Sequence, residues 1–195
     1  MKVGLDLDGC LANFDQAFIQ VLVEVTGKNL FPAGYRPHCW EFPTSCGYTK
    51  EEELSAWRKV WESEDFWAKL APLPGMQDLL QSELTMNQDH DVYFITQRAG
   101  YQVKEQTEVW LMQNGVFPST VLISGKKGLV CEALALDVYI DDKLSNIASV
   151  HAYSPKTRAY LLNQPWNQER SGMVVVNTVG EMLRLEGLYA KTEMA

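Results

Sequence analysis

The sequence predicts an α/β fold: a doubly wound, mostly parallel sheet with helices on both faces and a small helical cap inserted after the first strand. Three observations predict it. Six short runs rich in Val, Ile and Leu recur along the chain, as suits strands covered on both sides. Helical patterns separate most of them, which gives the βαβα alternation of a parallel sheet. Between the first and second runs, where a simple crossover needs one helix, residues 15–73 hold two helical patterns and an aromatic loop.

The first strand is expected over Val3–Leu7, closing in Asp6-Leu7-Asp8-Gly9. Side chains alternate along a strand, so Asp6 and Asp8 share a face at its C-terminal edge, and Gly9 permits a sharp turn. A helix then runs through Phe14, Phe18, Leu22 and Val25 and stops at Gly27. Residues 30–48 are a loop rich in aromatics, Pro and Gly. Thr49 with Glu52 forms a capping box that opens a helix through Leu54, Trp57 and Trp61. The next helix begins near Pro74-Gly75 and passes Leu79, Leu80 and Leu84. Val92–Thr96 is the second strand, and a helix from about Tyr101 through Thr107 and Trp110 stops at Asn114-Gly115. Strands over Val121–Ser124, Val138–Asp141, Ala159–Leu162 and Met173–Val176 follow. Thr178 with Glu181 offers a last capping box. The chain thus divides into a catalytic core of residues 1–14 and 74–195 and a cap of residues 15–73.

A length of 195 residues accommodates one buried core plus a small insertion. The formal net charge of −8 argues against a polynucleotide binder, which shows a basic face. A small anionic substrate stays compatible, because a metal and a few local cations reverse the sign inside a pocket. The apolar N-terminal run meets Asp6 almost at once, so no signal peptide is expected, and no stretch approaches a membrane-spanning length. Cys10, Cys39, Cys46 and Cys131 contain no C-x-x-C pair and read as reduced thiols of a cytoplasmic protein. His38 with Cys39 and Cys46 makes no credible zinc site.

Ligands of open parallel sheets bind beyond the C-terminal strand ends. The first strand delivers Asp6 and Asp8 there, and the second delivers Thr96, followed by Gln97 and Arg98. Ser124-Gly125-Lys126-Lys127-Gly128 follows the third, and the fourth ends in Asp141-Asp142. Phosphoryl transfer needs these parts. A carboxylate attacks phosphorus, a neighbouring acid protonates the leaving oxygen, and a hard cation offsets the clustered charge. A hydroxyl and a lysine hold the non-bridging oxygens.

The ordered set Asp6-Leu7-Asp8-Gly9, Thr96, Lys127 and Asp141-Asp142 resembles the haloacid dehalogenase-like (HAD-like) superfamily of aspartate-nucleophile phosphatases, whose core is Rossmann-like. The resemblance implies Asp6 as nucleophile, Asp8 as general acid/base, and phosphate held by Thr96, Gln97 and Lys127, with Lys126 the adjacent alternative. It implies Mg²⁺ bound by Asp6, the Asp8 carbonyl, Asp141 and Asp142, with Asp142 the preferred direct ligand. Within the superfamily the chain is similar to the 5'(3')-deoxyribonucleotidase-like branch. Asp6 to Phe14, Phe66-Trp67 before Pro72-Leu73-Pro74-Gly75, Ile140 to Lys143 and Leu161 to Asn167 carry that similarity. It implies that Phe14 packs against a nucleobase and that Trp61 and Trp40 complete the pocket. Asn13 stands where aspartate is common, and Gln97-Arg98 replaces a Ser-Pro. Gln97 is placed to bond phosphate or sugar, and Arg98 to pair with phosphate. The resulting expectation is a Mg²⁺-dependent 5'-nucleotidase acting on a small nucleotide, free of membrane or polynucleotide partners and compatible with a homodimer. A HAD phosphatase for a sugar phosphate is the alternative, and an idle nucleotide-binding protein a third.

Overall fold

All six apolar runs become parallel strands of one sheet, in the order β3-β2-β1-β4-β5-β6. The structure is a computed structural model that describes residues 1–86 and 89–189. The strands are β1 (Lys2–Leu5), β2 (Asp91–Thr96), β3 (Thr120–Ile123), β4 (Val138–Asp141), β5 (Arg158–Leu162) and β6 (Val174–Val176). Leu5 sits in register with Phe94 on one side and Ile140 on the other. The chain therefore winds outward in both directions from β1 and β4, and the crevice at their C-terminal ends is the topological switch point.

The alternation of strand side chains fills two cores. Val3, Leu5, Phe94, Val138, Ile140, Tyr160 and Leu162 face a large apolar cluster on one side. Ile95, Tyr139, Ala159 and Leu161 join Cys131, Ile147 and Val150 on the other. Helices α6 (Val103–Gln113), α7 (Lys127–Leu134), α8 (Leu144–Tyr153) and α9 (Val179–Leu185) supply the cover, together with α4 (Pro74–Leu80). The expected helix through Leu84 is broken after Leu80. A separate short helix, α5 (Glu83–Met86), resumes where the Ser82 hydroxyl accepts from the Leu84 N–H at 3.2 Å. The last capping box is shifted by one residue. Thr178 accepts from the Glu181 N–H, but the Glu181 carboxylate reaches back to the Asn177 N–H at 2.7 Å.

Residues 15–73 lie between β1 and β2. Helix α1 (Phe14–Thr26) buries Phe14, Phe18, Val21 and Leu22 along one face, and Gly27 ends it in the left-handed conformation. After the short α2 (Phe42–Ser45), α3 (Lys50–Glu62) opens with the complete Thr49–Glu52 capping box. A single 3-10 turn at Trp67–Lys69 returns the chain to the core. This segment is tied to the β2–α6 loop: the Tyr101 N–H donates to the Trp61 carbonyl at 2.7 Å, and Trp67 Nε1 donates to the Ala99 carbonyl at 3.0 Å. Among the described residues no helix is long and apolar enough to cross a membrane.

Candidate active site

The loop after β1 is a tight turn in which the Leu11 and Ala12 N–H groups both donate to the Leu7 carbonyl at 2.8 Å. Gly9 sits in it at φ +84°, and a Cβ there would lie 2.3 Å from the Asp142 carboxylate. Only glycine lets this turn close against the end of β4. Asp6 and Asp142 consequently flank the switch point from adjacent strands. A cleft of about 340 Å³ opens above them, lined at its floor by Asp6, Asp8, Thr96, Gln97, Lys127 and Asp142.

Lys127, from the first turn of α7, is 1 % exposed and is the cation at the centre of this floor. Its Nζ donates to Asp6 Oδ1 at 2.5 Å and to the Ile95 carbonyl, and lies 3.8 Å from Asp141. Burial pulls its ammonium pKa down, but Asp6 and Asp141 outweigh that and hold it above its ordinary value. Lys126 is exposed and does not line the cleft, whereas Lys127 does. Thr96, 1 % exposed, donates its hydroxyl to Asp8 Oδ2 at 3.3 Å. The exposed Gln97 lies with its amide against Gly125.

The two carboxylates ending β4 have different surroundings. Asp141 shares the side of the sheet occupied by Tyr139 and is fully buried. It accepts from Tyr139 Oη at 2.6 Å, Asn146 Nδ2 at 2.9 and 3.0 Å, and the Lys143 N–H at 2.8 Å. Asp141, expected beside Asp142 as a metal ligand, thus carries protein donors on both oxygens and does not line the cleft. Asp142 faces Asp6 instead. Trp166 Nε1 donates to its Oδ2 at 2.9 Å, and Asn167 Nδ2 to its carbonyl at 2.7 Å.

Among the described residues, Asp6, Asp142 and the Cys10 thiol bring ligand atoms within 4.8 Å of one another. Burial first, then Asp141 and Asp8, push the Asp6 carboxyl up to about 7 against the pull of Lys127. Asp142 is likewise pushed well up, by burial and by its neighbours Asp141 and Asp6. Burial raises the Cys10 thiol too, so it stays protonated beside the oxygens. Two hard carboxylates short of positive charge are a donor set that fits a divalent cation.

Arg98 departs from expectation. It does not line the cleft, and its guanidinium is spent on Asp8, with Nε 3.0 Å from Oδ2 and Nη2 2.8 Å from Oδ1. The group expected to pair with phosphate is engaged by Asp8 instead.

The aromatic side of the cleft holds Phe14, Trp40 and Trp61, as expected, and also Trp57 and Trp67. Phe14 is only 6 % exposed, with Phe18, Trp57 and Trp67 stacked around it at centroid distances of 5.4, 5.5 and 5.7 Å. Trp57 also stacks on Trp61 at 6.1 Å, so it is the ring next to both. Trp61 and Trp40 are each 39 % exposed and present free ring surface. Trp40 touches Trp166 at 5.7 Å and carries the Lys143 ammonium 5.4 Å above its ring. Trp57 was detectable as the residue one turn before Trp61; nothing in the spacing pointed to Trp166 reaching Asp142.

Residues 1–192 match the family described as 5' nucleotidase, deoxy (pyrimidine), cytosolic type C protein. The chain belongs to this family. The nucleotidase is accordingly a phosphoric monoester hydrolase of the 5'-nucleotidase type. A search of curated proteins gave no match. Its backbone is similar to a haloacid dehalogenase-like hydrolase from Streptococcus pneumoniae, with a TM-score of 0.61 at 12 % identity over 95 % of this chain and 97 % of that one. It also resembles a HAD phosphatase from Thermococcus onnurineus, with a TM-score of 0.54 at 16 % identity over 96 % and 98 % of the two chains. A dehalogenase gives 0.57 at 12 % identity over 97 % of each. At these identities the likeness concerns the fold, which this chain shares with these hydrolases.

Proposed function

We propose that this nucleotidase hydrolyses the phosphate of (deoxy)ribonucleoside 5'-monophosphates, using Mg²⁺ and an aspartyl-phosphate on Asp6. One observation carries the reading: the cleft that holds the carboxylates and Lys127 continues into a wall of indole rings, Trp40, Trp57 and Trp61. Aromatic faces stack on a base of any identity, and the wall offers several of them. The family description points the same way.

In this scheme Lys127 holds Asp6 Oδ1, fixing the carboxylate for attack. An Asp6 oxygen forms a bond to phosphorus as the bond to the nucleoside oxygen breaks. That oxygen keeps the electron pair and takes a proton from Asp8. Asp8 then removes a proton from water, whose oxygen attacks the phosphorus and returns Asp6 as a carboxylate. The sum is monophosphate plus water giving nucleoside plus phosphate. The Thr96 hydroxyl, the Lys127 ammonium and the Gln97 amide meet the non-bridging oxygens. Asp6 and Asp142 would hold the Mg²⁺, which when bound supplies positive charge against the carboxylates and the phosphate. Residues 15–73 serve as the cap that keeps water from the reacting atoms.

Phosphate release measured across nucleoside monophosphates and sugar phosphates tests this. Nucleotides turned over best, with Mg²⁺ effective and Ca²⁺ poor, is the expected result. Equal use of sugar phosphates would move the substrate to that class, and full activity in excess chelator would remove the metal from the scheme.

A further inference from the structure

We propose that Arg98 is the positioning residue of the acid/base Asp8, clamping its carboxylate from behind the cleft. The inference rests on the role of Asp8 given above and adds a residue to it.

A carboxylate on a short side chain turns about two bonds, and an acid that must serve a leaving oxygen and then a water needs a fixed plane. Arg98 supplies that restraint. Its Nε and Nη2 form a parallel fork on the two Asp8 oxygens, at 3.0 and 2.8 Å, the geometry in which arginine fixes both position and plane. Arg98 is 3 % exposed, while 18 % of the Asp8 side chain remains open to the cleft. The arginine therefore approaches from the protein side and leaves the other face of the carboxylate to the substrate.

The clamp is itself immobilised. Arg98 Nη1 donates to Thr107 Oγ1 on α6 at 3.1 Å, and the guanidinium lies over the rings of Trp67 at 4.9 Å and Trp110 at 5.6 Å. Both rings are pinned in turn, Trp67 Nε1 to the Ala99 carbonyl and Trp110 Nε1 to the Leu70 carbonyl at 2.7 Å. Gln106 adds a further tie between α6 and the end of residues 15–73: it accepts from the Trp67 N–H at 3.0 Å and donates to the Ser63 carbonyl at 2.8 Å. A guanidinium meant for phosphate would be open to the cleft with its fork free. This one is neither.

The test compares kcat/KM for a deoxynucleoside 5'-monophosphate with that for p-nitrophenyl phosphate, in the wild type and in Asp8→Asn, Arg98→Gln, Arg98→Lys and Thr107→Val. Breaking the bond to an alkyl oxygen needs the acid, whereas p-nitrophenolate leaves as a stable anion. Arg98→Gln is expected to lose about a hundredfold on the nucleotide and less than about tenfold on p-nitrophenyl phosphate, within the usual span of general acid catalysis. Arg98→Lys, which keeps the charge but not the fork, should restore little. Inhibition by inorganic phosphate should stay unchanged, and Arg98→Gln placed in Asp8→Asn should cost nothing more. Equal losses on both substrates, or weakened inhibition by phosphate, would overturn the proposal in favour of a structural or phosphate-binding arginine. Should Arg98→Gln not fold, Thr107→Val decides: it removes only the outer anchor, and a loss of a few-fold confined to the nucleotide is expected. No such bias in Thr107→Val would count against the clamp. If Asp8→Asn itself shows no leaving-group dependence, the role of Asp8 fails; if it does and the arginine variants do not, only the clamp fails.

Discussion

The floor and the wall of the cleft are built on opposite principles. At and just beneath the floor the charged groups are held by polar partners. Lys127 is locked onto Asp6, Arg98 onto Asp8 from behind, Trp166 onto Asp142, and below the cleft Asp141 accepts from Tyr139, Asn146 and a backbone N–H. The wall, drawn mostly from residues 15–73, is a run of rings whose contacts are with one another, and its outer members Trp40 and Trp61 remain 39 % exposed. Polar groups at the floor are tied by hydrogen bonds, and an acid or nucleophile out of place is useless. Ring faces need no such precision to recognise a flat ligand. On the proposed function, the floor carries the chemistry and the wall the choice of substrate.

The largest expected effect comes from breaking the floor. Asp6→Asn should lower turnover by roughly a thousandfold or more on every phosphomonoester, because the amide is near in shape but a poor nucleophile. Phosphate release within about tenfold of wild type would remove Asp6 from that role.

The second effect is on stability and also belongs to the floor. Asp6 is pushed up from an ordinary 3.8 to about 7, and Asp142 moves the same way. Between those values these carboxyls hold more protons in the folded protein than in the unfolded chain, so the stability they contribute is full below about pH 4 and is lost as pH rises through about 7. In chelator, Tm should therefore fall from about pH 5 to about pH 8, by about 5 °C or more, and Asp6→Asn should flatten the slope. Added Mg²⁺ should raise Tm more at the higher pH. A Tm that climbs over this interval, or a variant with an unchanged slope, would contradict the account of the carboxylates.

A smaller effect tests the scaffold of the wall. Thr49→Ala deletes half of the α3 capping box and should cost about 1 kcal/mol in denaturant unfolding. Turnover of ribose 5-phosphate, which uses only the floor, should be unaltered.

The sequence carried the fold to a considerable extent, and for a physical reason. Strands buried on both sides must be apolar throughout, so β1, β2, β4 and β5 announced themselves within about two residues at each end. Strand ends then located the floor, since Asp6, Asp8, Thr96, Lys127 and Asp142 all follow apolar runs. What stayed hidden depends on contacts between distant segments. Asp8 and Arg98 are separated by 90 positions, and Asp142 and Trp166 by 24. No local pattern records such pairs. Asp141 and Asp142 look alike in sequence and part only because one points toward the Tyr139 side of the sheet. The break after Leu80 was missed because it contains neither Gly nor Pro, only the Ser82 hydroxyl.

The division between floor and wall is tested most directly by Trp61→Ala. The substrates for kcat/KM are a ribonucleoside 5'-monophosphate and ribose 5-phosphate, in which a hydroxyl stands where the nucleotide has its base. The account predicts a loss of about ten- to hundredfold on the nucleotide, worth about 1–3 kcal/mol of stacking, and a change of less than about twofold on the sugar phosphate. Equal losses on both, or no loss on either, would mean that Trp61 is packing alone and that the wall does not select the substrate.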